Sequence, residues 1–257
     1  MKGEDLFYTD INQILNEEIR KDLDAKAESF ASLDWGPDRV VSLRTKDTPV
    51  KRQWNGTCTT FGTIGAMENL LGGQVHLSER SLWDFYGKYS TSTAIRVASQ
   101  YYVLNEEYWP QNESRIPGDY EDFGRYRLKS SEYLGNDYLR VLKAMDSGFP
   151  CVVGLSTPKD LRDGKTQIER TSKVSRRGGH AMCVSGYKVA EGRCYFLVKN
   201  SWGTAIGDGG YQYIDFELFM TGRKRYASFW SILEIEDRGP QDVRDFSLEA
   251  EPLWLYE

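Results

Sequence analysis

At Gly148-Phe149-Pro150 the chain changes its period. Before that point apolar residues recur at spacings of three and four: Phe61, Ile64, Met67, Leu70 and Leu71, then Ala94, Ile95, Val97, Ala98 and Tyr101, then Leu139, Leu142 and Met145. That spacing predicts helices. After it, short runs rich in β-branched and aromatic residues predict strands at 151–155, 180–187, 194–199, 210–216 and 229–236. Helices followed by strands point to an α+β chain.

The same pattern suggests four parts. Residues 1–33 form an N-terminal helical extension, with Phe7, Ile11, Ile14, Leu15, Ile19 and Leu23 on one face. Residues 34–130 form a helical half and 131–236 a β-rich half. Residues 237–257 form a C-terminal tail. The stretch 111–131 is polar and reads as an irregular crossover between the halves.

Composition removes several function classes. The net charge of −5 argues against nucleic acid as a partner. No apolar run approaches the roughly 20 residues that span a bilayer, so no membrane partner is expected. The N-terminus lacks the apolar core of a signal peptide. Four cysteines occur, Cys58, Cys151, Cys183 and Cys194, without a Cys-x-x-Cys pair or metal-ligand spacing. No metal and no other cofactor are expected. A reducing compartment is the simpler inference, hence the cytoplasm, with export by a route that needs no signal peptide left open.

The chemistry concentrates at Cys58. Upstream, residues 47–57 are polar and turn-rich, and Asn55-Gly56 permits a sharp turn. Downstream, the helical period begins at once. Cys58 therefore starts a helix, where the dipole favours a thiolate. A nucleophile of this kind needs a base and a group that orients the base. The chain has two histidines. His76 lies in a Gly-Gly-Gln-Val-His-Leu-Ser turn and reads as an exposed linker. His180, in Gly178-Gly179-His180-Ala181, is the candidate base. Asn200, in Lys199-Asn200-Ser201-Trp202-Gly203, is a candidate orienting group.

Four blocks resemble the papain family of cysteine peptidases. They are Pro49-Val50-Lys51-Arg52-Gln53 leading to Cys58 and Phe61, Leu77-Ser78-Glu79-Arg80-Ser81-Leu82, Gly179-His180-Ala181 through Gly186-Tyr187, and Val198-Lys199-Asn200-Ser201-Trp202-Gly203-Thr204 followed by Gly207-Asp208 and Gly210-Tyr211. The form with Gly179 before the histidine resembles prokaryotic members without a long propeptide. The resemblance implies a two-lobed fold, a helical left lobe and an antiparallel β-barrel-like right lobe, with the site in the cleft between them. It implies Cys58 as nucleophile, His180 as general base and acid, and Asn200 as the group holding the imidazole. Gln53 and the Cys58 N–H would form the oxyanion hole, a donor worth roughly 3 kcal/mol in comparable sites. Trp202 would shield the Asn200–His180 hydrogen bond, and Gly179 would line the substrate. The implied reaction is hydrolysis of peptide or amide bonds of a peptide or protein substrate through a thioester.

The chain departs from the family pattern. Asn55 and Thr59 stand where the family has a cysteine and an aromatic, Phe85 stands at the disulfide partner, and Ile206 replaces a second tryptophan. The loop from Gln53 to Cys58 is one residue shorter than the family norm. Two other readings fit the same residues: a transpeptidase, amide ligase or acyltransferase that passes the thioester to an amine, and a non-catalytic binding module on the same fold. The basic stretch 159–177 reads as a solvated loop, with recognition of an acidic substrate as the sharper alternative.

Overall fold

A computed structural model describes residues 35–54, 56–84, 90–113, 120–220 and 227–240. The N-terminal extension and residues 241–257 lie outside them, as do Asn55 and Phe85. Helix α1 (Cys58–Leu70) is buried on nearly every side, so it runs through the interior rather than along a surface. Against it stand α2 (Glu79–Asp84) and α3 (Thr91–Gln100), and the short α4 (Tyr120–Phe123) follows them in the chain. Ser78 caps the first turn of α2 by accepting the Ser81 N–H at 3.2 Å. Ser90 does the same for α3 at Thr93, which starts that helix three residues before its apolar period.

The second half is a sheet. Its strands are β1 (Arg39–Ser42), β2 (Tyr126–Gly135), β3 (Cys151–Pro158), β4 (Gln167–Ile168), β5 (Val174–Ala190), β6 (Arg193–Lys199), β7 (Tyr211–Asp215) and β8 (Ala227–Asp237). They follow the order β2-β8-β3-β5-β6-β7-β4, with β1 paired to β5. All pairs are antiparallel except β4 with β7. Helices α5 (Tyr138–Asp146), α6 (Lys159–Arg162) and α7 (Glu217–Met220) complete the described chain.

Alternation along the strands divides the core in two. Cys151, Val153, Met182 and Val184 join a cluster with α5 residues Val141, Leu142 and Met145. Their neighbours Val152 and Cys183 turn the other way, onto Ile64 and Met67 of α1 and Ala94, Ile95 and Ala98 of α3. One sheet thus closes the β-rich core and supports the helical one.

Three strands lie where no strand was foreseen: β1, β4 and β2, whose first residues fall in the supposed irregular crossover. β2 is an edge strand. Its outward positions carry Arg127 and Lys129, which pair with Glu236 and Glu234 of β8 at 2.5 and 2.6 Å. An edge strand with a polar outer row has no apolar run to reveal it.

Candidate active site

Cys58 is the first residue of α1. Thr57 precedes it as the cap, its hydroxyl donating back to the Trp54 carbonyl at 2.8 Å, which tightens the short loop. On a helix, Cys58, Gly62 and Gly65 share one face, and that face lies on β5. A Cβ at Gly62 would sit 3.2 Å from the Met182 backbone N and C. Two glycines inside a helix cost about 1 kcal/mol each against alanine, so the close approach is the reason for them. The approach brings the Cys58 sulfur beside the backbone N–H of Ala181, the residue after His180.

His180 is 5% exposed, in the middle of β5 and opposite Leu155 of β3. Its Nε2 lies 2.8 Å from Asn200 Oδ1. Asn200 is itself held. Its Nδ2 donates to Gln212 Oε1 at 2.8 Å, and its Oδ1 also accepts the Ser201 N–H at 2.7 Å. Gln212 is fixed in turn, its Nε2 donating to the carbonyls of Leu161 and Lys165. The Asn200 amide thus presents oxygen, not nitrogen, to the ring. An oxygen can only accept, so the proton sits on Nε2 and Nδ1 is the basic nitrogen. Trp202 stacks on the imidazole with centroids 4.3 Å apart and planes 22° apart, covering the His180–Asn200 bond.

Gln53 reaches the same place from the helical half. Its N–H donates to the Ser201 carbonyl at 2.7 Å, and Arg52 bridges Trp202 in antiparallel fashion. The Ser201 hydroxyl donates to Gln53 Oε1 at 2.6 Å. That contact occupies the amide oxygen and leaves the Nε2 hydrogens as the donors to present to a ligand.

The electrostatics differ from the sequence expectation. Burial pushes the Cys58 thiol up, against the pull of the Ala181, Thr59 and Cys58 N–H groups. Burial also brings His180 down to about 4, although Asn200 opposes it. Neither charge is favoured alone. A helix start exposed to water would depress the thiol; this one is packed against a strand, and desolvation outweighs the dipole.

Gly179 sits exposed in β5 beside the ring, paired with Ser156. His76 is half-exposed, 4.0 Å from Glu106, in the connection between α1 and α2. In the basic stretch, Lys159 pairs with Asp163, Lys165 with Asp160 and Arg170 with Glu217, the arrangement of a solvated loop. Sequence reading passed over Gly62, Ser201 and Gln212. The glycine pair within an apolar helix was a readable signal; Ser201 and Gln212 are ordinary residues until folded. Among the described residues no cluster of metal-ligating side chains occurs, and no helix is long and apolar enough to cross a membrane.

The family model for papain family cysteine proteases matches residues 37–228. The chain belongs to the papain family. Among curated relatives of this family, cysteine proteinase 3 of Solanum lycopersicum is 28% identical over 218 residues, covering 76% of this chain and 59% of that protein. Pro-cathepsin H of Mus musculus is 26% identical over 219 residues, covering 77% and 64%. The chain spans about three-fifths of the length of the curated relatives it matches. Among solved papain-like structures, xylellain, a cysteine protease from Xylella fastidiosa, superposes with a TM-score of 0.61 at 21% identity, covering 75% of this chain and 85% of that one. Digestive procathepsin L 3 of Tenebrio molitor gives 0.60 at 22% identity, covering 78% and 72%. The fold is the α+β papain-like fold, with helices in the first half and a mostly antiparallel sheet in the second.

Proposed function

We propose that this chain hydrolyses peptide or amide bonds, with Cys58 as nucleophile and His180 as general base and acid. The observation that carries the reading is the fixed tautomer. The Asn200 oxygen holds the proton on Nε2, so Nδ1 is left basic on a ring whose next residue, Ala181, turns its N–H to the Cys58 sulfur.

Because burial disfavours either charge alone, the thiol proton passes to Nδ1 as the sulfur attacks the carbonyl carbon. The C–S bond forms as the carbonyl π pair moves onto oxygen. That oxyanion takes hydrogen bonds from the Cys58 N–H and Gln53 Nε2. Collapse breaks the C–N bond, and Nδ1 delivers the proton to the leaving amine. A water then attacks the thioester while His180 takes its proton. The acid leaves and the thiol is restored. Trp202 keeps bulk water from the Nε2–Oδ1 bond throughout. The substrate is a peptide or protein segment, as for proteases of this family.

Replacing Cys58 with Ala tests the reading. Turnover of a peptide library should fall by about 10⁴-fold or more, with unchanged near- and far-UV circular dichroism. A folded Cys58→Ala protein that still cut the same bonds would refute it.

A further inference from the structure

Lys51 is two residues before Gln53, and its ammonium is enclosed. It lies 2.9 Å from Glu79 Oε1, 2.9 Å from Glu106 Oε2 and 3.4 Å from Glu68 Oε1, and donates to the Leu77 carbonyl at 3.3 Å. Glu68 is on α1, ten residues after Cys58, and Glu79 is the first residue of α2. Both carboxylates are almost wholly buried. Glu68 is fixed further, accepting the Leu77 N–H at 2.8 Å and the Thr48 hydroxyl. The Thr48 oxygen accepts from Lys199, the residue before Asn200, at 2.8 Å.

The backbone of the same segment is tied in the opposite direction. The Gly203 N–H donates to the Lys51 carbonyl at 3.2 Å and the Gln53 N–H to Ser201. Residues 51–53 are therefore a short extended bridge. Their amides join the loop of Asn200 and Trp202, and one side chain joins the helix of Cys58. In an extended segment positions 51 and 53 project to the same side. A displacement at Lys51 would be passed to the Gln53 carboxamide.

We infer that Lys51 is a positioning residue for the oxyanion donor Gln53, setting its place relative to Cys58 by anchoring the bridge to Glu68, Glu79 and Glu106. The inference rests on the hydrolytic reading above. An oxyanion donor acts only when the tetrahedral centre forms, so its misplacement lowers kcat and spares ground-state binding.

The test uses the full chain and two backgrounds. Lys51→Met in the wild-type background should lower kcat about 10-fold with KM changed less than about twofold, and weaken a peptide aldehyde, which forms a tetrahedral adduct, by about the same factor. Alkylation of Cys58 by chloroacetamide forms no oxyanion and should change less than about twofold. In a Gln53→Ala background the same substitution should change kcat less than about twofold, because the group it positions is gone. If Lys51→Met does not fold, Glu106→Gln removes one partly exposed anchor and should show the same pattern at about threefold. Equal losses in both backgrounds, or no loss in either, would overturn the inference alone. A wild-type chain that neither cuts peptides nor takes the aldehyde would overturn the hydrolytic reading and this inference with it.

Discussion

Two buried polar regions lie on either side of the Gln53 bridge, and they handle charge in opposite ways. Around Lys51 a cation meets three carboxylates. Burial pulls its pKa down, but Glu79 and Glu68 outweigh burial and hold it protonated. Around Cys58 and His180 no charged partner occurs among the described residues. Burial pushes the thiol up and the imidazole down, and only dipoles oppose it. In the first region the Lys51 cation is held charged by its neighbours, while burial raises the Glu79 carboxyl to about 8. The second favours the neutral thiol and the neutral imidazole, so the proton leaves sulfur only as the carbonyl is attacked. Rigidity and reactivity come from the same desolvation, with and without a counter-charge.

The contrast can be broken at its strongest point first. Lys51→Met leaves buried carboxylates without their cation and should cost about 3–5 kcal/mol of stability at pH 7, read from urea unfolding. Cys58→Ala, which removes no charge, should cost far less; equal losses would erase the distinction. A second measurement sharpens it with pH. His180 has a pKa of about 4 in the folded chain against an ordinary 6.5, so the unfolded chain takes up its proton first as pH falls. Its contribution is complete above pH 6.5 and declines between about pH 6.5 and 4, by about 3 kcal/mol in all. His180→Gln should lose that part of the slope, and identical pH–stability curves for the two proteins would contradict it. The smallest effect concerns the packing that joins the regions. Gly62→Ala places a methyl 3.2 Å from the Met182 backbone and should cost about 1–3 kcal/mol. It should also slow chloroacetamide labelling of Cys58, since α1 must shift from β5. Unchanged labelling would show that the Cys58–Ala181 approach does not depend on that glycine.

Cys58, His180 and Asn200 were legible because each sits in a local context that the chain itself writes. A polar loop ran into a helical period at Cys58, a glycine pair preceded His180, and Asn200 stood before Ser201-Trp202-Gly203. Gln53 was readable from its block, and Trp202 from its place after Asn200. The five apolar strands were legible for the same local reason. The polar first half of β5 and all of β1, β2 and β4 were not, since their pairing partners lie far along the chain. The thiol's shift was misjudged because a helix start says nothing of the strand packed over it.

The sequence alone determined the change from helices to strands and singled out the candidate site residues, since period and local context are properties of neighbours along the chain. Only the tertiary structure decided the tautomer of His180, through Gln212 twelve residues beyond Asn200, and the direction of the Cys58 shift. It also decided the enclosure of Lys51 by residues from three separate segments. Desolvation and hydrogen-bond direction depend on what surrounds a group in space, and those surroundings exist only once distant segments have met.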